Sequence, residues 1–286
     1  MNVFDIINQS KPSLSFEVFP PKSSDTFESV KAAALGIAKL EPSFMSVTYG
    51  AGGSTAGYTA EIASALLESG VTPLAHLSCV SATKDKIHQQ LSDFKARGIK
   101  NILALRGDLP QGVSSDDLEY HYASDLAKEI RDFEGFCIGG ACYPECHPES
   151  ANGNTDIDAL RIKVESGCQF LTTQMFFDNN ILYNFIYRLY RAHVEVPIVA
   201  GIMPVTNAAQ IKRILSISQS ALPQKFVRIV DRYQDNPEAM KQAGIAFATE
   251  QIIDLYANGI NAVHVYSMNK PEVAEAIKNN ISHIIE

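Results

Sequence analysis

The sequence has no basic excess, no long apolar run and no cysteine framework, and each absence removes a class of function. Lys and Arg number 24 against 32 Asp and Glu, a net charge of -8. The basic surface that displaces counterions from nucleic acid is therefore missing, and an anionic ligand must be met by local positive groups. Nothing approaches the roughly 20 apolar residues of a membrane span. Met1–Ser10 carries Asp5 and no apolar run long enough for a signal peptide, so a cytoplasmic protein is expected. The five cysteines (Cys79, Cys137, Cys142, Cys146, Cys168) form an odd set without a C-x-x-C pair, which argues against a disulfide framework or a zinc ribbon. Cys142, Cys146 and His147 crowd together, but Tyr143-Pro144-Glu145 between the thiols is not a common ligand spacing. Small apolar filler is the default role of such cysteines, and no metal is expected. Two glycine motifs also fail. After Gly50-x-Gly52, Thr55 stands where a dinucleotide fingerprint needs its third glycine, and Ala56 replaces the last glycine of a nucleophile elbow.

What is present is a repeated unit: a short apolar run, a polar or glycine-rich turn, then a stretch with helical periodicity. Eight runs recur, Leu14–Phe19, Phe44–Tyr49, Pro73–Cys79, Asn101–Leu105, Cys137–Tyr143, Phe170–Phe176, Ile198–Met203 and Ala262–Met268. Helical patterns lie between them at Thr26–Leu40, Tyr58–Glu68, Thr83–Arg97, Ser124–Phe133, Thr155–Glu165 and Asn180–Ala192. Strict alternation calls for parallel strands with helical crossovers. An open doubly wound sheet is the alternative, but eight units favour an α/β fold closed as an eightfold β/α (TIM) barrel, which needs roughly 250 residues. With 46% hydrophobic and 20% charged residues and no linker or low-complexity tract, residues 1–286 read as one soluble domain. Gln219–Asn236 is the least regular part and reads as an insertion before the last strand. Asn236 as a cap and Pro237 at the first helical position then start a helix to about Ala257.

Chemistry in such a fold belongs at the strand ends. Arg106-Gly107-Asp108-Leu109-Pro110 follows the fourth run directly and plants a carboxylate there. Glu17 lies inside the first run, flanked by Phe16 and Val18; it is either a structural ion pair or a general acid whose proton burial retains. His76 and His147 fall near the same rim, the latter in the proline-fixed loop Tyr143-Pro144-Glu145-x-His147-Pro148, with Asp156 and Lys163 on the helix that follows. Gln174, near the end of the sixth run, offers both donors and an acceptor to the edge of a heterocycle.

Ser15-Phe16-Glu17 through Pro21, Val47-Thr48-Tyr49-Gly50-Ala51, Ala104–Pro110, Tyr122-Ala123-Ser124-Asp125, Tyr143–Pro148 and Thr173–Asp178 together resemble the methylenetetrahydrofolate reductase family, from about residue 14 to Lys270. The resemblance implies a β/α barrel with FAD at its C-terminal rim. It also implies reduction of 5,10-methylenetetrahydrofolate to 5-methyltetrahydrofolate by NADH or NADPH in alternating half-reactions, in one-carbon metabolism and methionine supply. Glu17 becomes the acid that opens the folate's imidazolidine ring, and Asp108 the charge beside flavin and pterin. Flavin contacts are implied for Thr48, Tyr49, Ala51, His76, Arg106, Gly107, Asp108, Tyr122, Ala123, Tyr143, His147, Asp156 and Lys163, with Arg106 and Lys163 suited to the pyrophosphate. Folate contacts are implied for Glu17, Gln174, Gln210, Ile214 and Lys270. Lys270 stands where well-known members carry arginine, keeping the charge without the planar fork, and Ile214 where some carry phenylalanine. Homo-oligomers are common in the family. With the chain ending at Glu286, the regulatory half that eukaryotic relatives add is not expected. The alternative is a folate- or flavin-binding subunit fed electrons by a partner protein.

Overall fold

The computed structural model describes residues 1–286 except 22, 51–55, 110–117 and 218–220, and describes only the backbone at 56, 212, 213 and 215–217. The strands are β1 (Ser13–Val18), β2 (Met45–Val47), β3 (Pro73–Ser78), β4 (Asn101–Leu105), β5 (Cys137–Cys142), β6 (Phe170–Thr173), β7 (Ile198–Ile202) and β8 (Ala262–Tyr266). They pair in parallel in chain order, and β8 closes on β1 through Ser13 to Glu17 against Ala262 to Tyr266. The expected barrel is therefore the observed fold. The helices are α1 (Val3–Ile7), α2 (Phe27–Ala38), α3 (Ala56–Glu68), α4 (Lys84–Ala96), α5 (Ala123–Phe133), α6 (Gly153–Glu165), α7 (Asn179–Arg191), α8 (Ala208–Ile217), α9 (Gln224–Tyr233), α10 (Pro237–Ala257) and α11 (Pro271–Asn280). No helix among the described residues is long and apolar enough to cross a membrane.

Local chemistry starts these helices where the sequence signals them. Asp178 caps α7 by accepting from Asn180 N at 3.0 Å, Asn152 caps α6, and Asn236 accepts from Ala239 N at 3.2 Å with Pro237 behind it. Each helix then buries one stripe, as α7 does with Leu182, Phe185 and Leu189. The irregular stretch expected between Gln219 and Asn236 is corrected in one respect: Gln224–Tyr233 is helical. Phe226, Ile229, Val230 and Tyr233 recur at helical spacing, and Phe226 stacks on Phe177 at 5.1 Å. Most strands also end one to three residues before their apolar runs do, because pairing stops where strands splay at the mouth while the run continues inward.

Alternation along the strands sorts the residues into two cores. Leu14, Phe16 and Val18 point outward into the shell shared with the helices, beside Ile37, Leu66 and Ile277. The inward positions change character along the axis. At the N-terminal end Phe44, Leu74, Leu103, Cys137, Phe170 and Val199 form an apolar plug with Val3, Ile6 and Ile7 of α1. Asn101 fixes that plug by accepting from Val3 N at 2.8 Å and donating to the Pro73 carbonyl at 3.1 Å. Gly139 leaves room for the Phe170 ring, since a Cβ there would overlap it. Toward the C-terminal end the inward positions become Glu17, Ser46, His76, Thr172, Gln174, His264 and Tyr266, and they open into a cavity.

Candidate active site

The cavity, about 330 Å3, lies inside the C-terminal mouth. Its walls mix apolar side chains (Leu74, Leu103, Leu105, Met175, Met203) with Glu17, Thr48, His76, Tyr143, Thr172, Gln174, His264 and Tyr266. This is the expected makeup of a small-molecule site: mostly apolar, with few convergent polar groups.

Glu17 is the centre of its polar side. The carboxyl keeps one-fifth of its side-chain exposure, with Oε2 3.3 Å from Ser46 Oγ, 3.6 Å from His76 Nε2 and 4.0 Å from His264 Nε2. Burial pushes its pKa from the ordinary carboxyl value up to about 8, and a Ser46 hydroxyl turned toward the carboxyl would pull it the other way. The same burial drives His76 and His264 down to about 3, so both imidazoles are neutral and neither compensates the carboxyl as an ion pair. Of the two readings left open for Glu17, the geometry favours a retained proton. Nε2 of His76 is buried without a hydrogen-bond partner. His264 is fully engaged: Nε2 contacts Ser46 Oγ and Nδ1 contacts Ser15 Oγ, each at 2.8 Å, while its ring stacks on Phe44 at 5.5 Å and meets the Tyr266 ring edge-on at 5.7 Å.

Thr48, His76, Tyr143 and Gln174 join Glu17 on the cavity wall. Gln174 Oε1 accepts from Met175 N at 2.9 Å. Arg106, Gly107, Asp108 and His147 form the rim above β4 and β5. Arg106 is held by Glu149 through two bonds of 2.6 Å, a geometry that raises the pKa of the guanidinium and lowers that of the carboxylate. Gly107 has φ +88, and a Cβ there would meet Ser78 Oγ and Val80 Cγ1, so only glycine lets this turn lie on β3. Asp108 is exposed at the rim and outside the cavity walls. Tyr143 and His147 meet edge to face at 4.6 Å. Tyr122, two-thirds exposed, is the residue before α5, and Ala123 opens that helix.

Other expected residues are not brought to the cavity. Tyr49 turns its hydroxyl to Gln90 Nε2 at 2.6 Å. Asp156, buried in the first turn of α6, accepts from Ser150 Oγ at 3.3 Å and from the His147 backbone, and so braces the rim loop from behind. Lys163 lies on the outer face of β5 with Nζ on the Ala141 carbonyl at 2.6 Å, where burial lowers its pKa. Gln210 accepts from Thr206 N and Asn207 N, and Lys270 Nζ donates to Thr206 Oγ1 at 3.1 Å, so these two meet at the turn before α8. Ile214, 4% exposed, packs in the cluster of Met175, Phe177 and Phe226. Ala51 lies outside the described residues. Cys142 is buried in the outer core and Cys146 turns to the His147 carbonyl; among the described residues no three His, Cys, Asp or Glu side chains could hold a metal.

Ser15, Ser46, His264 and Tyr266 were not singled out from the sequence. Their signal was parity alone: Ser13, Ser15 and Glu17, or Ala262, His264 and Tyr266, share one face of a strand.

A parallel eight-stranded barrel with a buried acid and neutral imidazoles in a cavity at its C-terminal mouth defines a β/α-barrel enzyme of the kind whose chemistry sits at that face. The family described as methylenetetrahydrofolate reductase matches residues 2–282. The 5,10-methylenetetrahydrofolate reductases of Pectobacterium carotovorum subsp. carotovorum and Escherichia coli (strain K12) are each 33% identical, over 94% and 96% of this chain and 90% and 94% of their own. Methylenetetrahydrofolate reductase (NADH) 1 of Arabidopsis thaliana is 34% identical over 98% of this chain, which spans 50% of that plant protein. The chain belongs to the methylenetetrahydrofolate reductase family. A solved structure of an uncharacterized Clostridium thermocellum protein that binds two copies of 5-methyl-5,6,7,8-tetrahydrofolic acid superposes with a TM-score of 0.68 at 16% identity over 98% of both chains, a likeness of fold.

Proposed function

We propose that this protein reduces 5,10-methylenetetrahydrofolate to 5-methyltetrahydrofolate, with FAD as cofactor and NADH or NADPH as reductant in alternating half-reactions. One observation carries the reading: Glu17 lines a mostly apolar cavity with neutral imidazoles as its nearest titratable neighbours, and burial there raises its pKa to about 8, which supports a role as general acid at neutral pH. The site suits a flavin on its own terms, because the walls include Leu103, Leu105 and Met203 while the buried Nε2 of His76 lacks a partner. Thr48, His76 and Tyr143 would hold the ring system; Arg106, Gly107 and the start of α5 at Tyr122 and Ala123 would face the phosphates. When bound, the flavin supplies hydride carriage between the nicotinamide and the one-carbon unit of the folate.

The chain's own residues do the rest. Glu17 gives its proton to N10 of the folate so that the imidazolidine ring opens to the N5 iminium. Its neighbours His76 and His264, both neutral, put no cation next to the positive charge that forms. Asp108, at the rim, contributes negative charge toward that iminium. Gln174 presents donors and an acceptor to the pterin edge, and Lys270 with Gln210 offers polar anchorage to the rest of the folate.

Anaerobic visible spectra of the FAD-loaded protein test this. Bleaching on addition of NADH and recovery on addition of methylenetetrahydrofolate is the expected result. A flavin that NADH leaves oxidised, yet which methylenetetrahydrofolate reoxidises after chemical reduction, would instead assign the electrons to a partner protein.

A further inference from the structure

Four contacts run in series from Glu17 into the barrel. Oε2 lies 3.3 Å from Ser46 Oγ, Ser46 Oγ lies 2.8 Å from His264 Nε2, His264 Nδ1 lies 2.8 Å from Ser15 Oγ, and Ser15 Oγ lies 2.9 Å from the Val263 carbonyl oxygen. Each hydroxyl holds one proton, and so does a neutral imidazole. The count then fixes a direction. A carbonyl oxygen only accepts, so Ser15 donates its proton to Val263. His264 Nδ1 must donate to Ser15, which leaves Nε2 bare. Ser46, whose hydroxyl could otherwise donate to Glu17 and lower its pKa, must donate to Nε2, and its contact with Glu17 is then a hydrogen bond only when Glu17 brings the proton. The reverse order would turn Ser15 lone pairs against the Val263 oxygen at 2.9 Å. A doubly protonated His264 would relax the count, but burial and the neighbouring His76 oppose that charge.

We propose that Ser15, His264 and Ser46 form a one-way hydrogen-bond wire, anchored on the Val263 carbonyl, that holds Glu17 as the carboxylic acid, and that these three are positioning residues of the site. The titratable groups that face Glu17 among the described residues are His76 from β3 and His264 and Tyr266 from β8; the Tyr266 hydroxyl is committed to the Thr173 carbonyl. None of them is a cation at neutral pH, so nothing there opposes the wire. Its use in the folate step rests on the proposed activity, whereas the wire itself does not.

The test is an infrared difference titration of the Glu17 carboxyl, whole protein minus Glu17→Gln, without substrate. In the unaltered protein the acid band persists through neutral pH and is lost in alkali. Ser15→Ala frees the Nε2–H tautomer of His264, and Ser46 then donates to the carboxylate. His264→Phe frees the Ser46 proton directly. Both variants are expected to lower the midpoint by about one pH unit, a tenfold change in the acid-to-carboxylate ratio. Ser13→Ala, one inward position below and with its hydroxyl on the Asn261 carbonyl, leaves it in place. His264→Phe disturbs a stacked ring and is the variant at risk of misfolding; Ser15→Ala removes one oxygen and decides the matter alone. A midpoint unmoved or raised in Ser15→Ala, or lowered equally in Ser13→Ala, overturns the wire. A protein that shows the expected shifts yet fails to reduce methylenetetrahydrofolate keeps the wire and discards the reductase reading; turnover with unmoved midpoints does the opposite.

Discussion

The two ends of the barrel are built from the same alternating strands and differ in what their inward positions carry. At the N-terminal end Phe44, Leu103, Phe170 and Val199 meet Val3, Ile6 and Ile7 in a plug without charge. At the C-terminal end the same parity delivers Glu17, Ser46, His76 and His264 to a cavity. The first arrangement lowers the free energy of the fold, and the second raises it. Burying a carboxyl and two imidazoles gives up hydration, about 1–3 kcal/mol for a group left short of a partner, as His76 Nε2 is. The contrast teaches that the closed end supplies stability which the open end gives up to hold its groups in reactive states. His264 is the joint, with Phe44 stacked on one face of its ring and Tyr266 edge-on beside it.

Glu17→Gln makes the largest break in this comparison. On the proposed reading it keeps the shape and removes the proton donor, so folate reduction in single turnover should fall by roughly 10²–10⁴-fold while FAD stays bound and NADH oxidation persists. Equal loss in both half-reactions would remove Glu17 from its role. The same variant should be the more stable protein in alkali. Because the folded-state pKa is raised, the unfolded chain ionises Glu17 above about 4.5 while the folded chain retains the proton to about 8. Stability is therefore full below 4.5 and declines as pH rises to 8. The imidazoles act in the opposite sense: their depressed pKa values give stability above 6.5 that is lost as pH falls toward 3. Denaturant titrations at pH 8.5 should find Glu17→Gln ahead by on the order of 2–4 kcal/mol.

Phe170→Ala is the counterpart at the closed end. Phe170 is fully buried with its ring over Gly139, which has no side chain to fill the space. The expected cost is about 3–5 kcal/mol of unfolding free energy, with the folate half-reaction unchanged at temperatures where the variant is folded. A slowed chemical step at full folding would show that the two ends are coupled through the strands rather than separable.

The sequence made the barrel legible because eight apolar runs announce themselves locally; Asn101–Leu105 even begins and ends where β4 does. It made α9 illegible for a different reason. Pro223, Arg228, Asp231 and Arg232 look like breakers, but Pro223 is the residue before the helix and the charges lie on its outer face, while Phe226, Ile229, Val230 and Tyr233 keep helical spacing. α1 is only five residues long and is fixed from outside, by Val3 N on Asn101 Oδ1 across 98 positions. The site divides the same way. Glu17 stands out as a lone carboxylate among apolar neighbours, and Gln174 and His76 stand at strand ends. The partners of Glu17 come from strands 29 and more positions away, and the Ser15–His264 contact spans 249. A buried serine or histidine in a strand acquires meaning only from partners that folding brings to it.

The rim offers the smallest and most discriminating change. Glu149 holds Arg106 through two short bonds, yet its side chain is 55% exposed, so the pair adds little to stability, of the order of 0.2–1 kcal/mol. On the proposed reading Arg106 meets the cofactor's phosphates, and Glu149 competes with them for the same guanidinium face. Glu149→Gln should therefore leave the midpoint of unfolding of the cofactor-free protein nearly unchanged while tightening FAD several-fold in a fluorescence-quenching titration, most clearly at low ionic strength where the competing charges are least screened. Weaker binding in Glu149→Gln would mean that the carboxylate orients Arg106 toward the ligand instead of withholding it. Either result separates the rim, where charges are exchanged between partners, from the cavity, where burial favours the protonated form of Glu17.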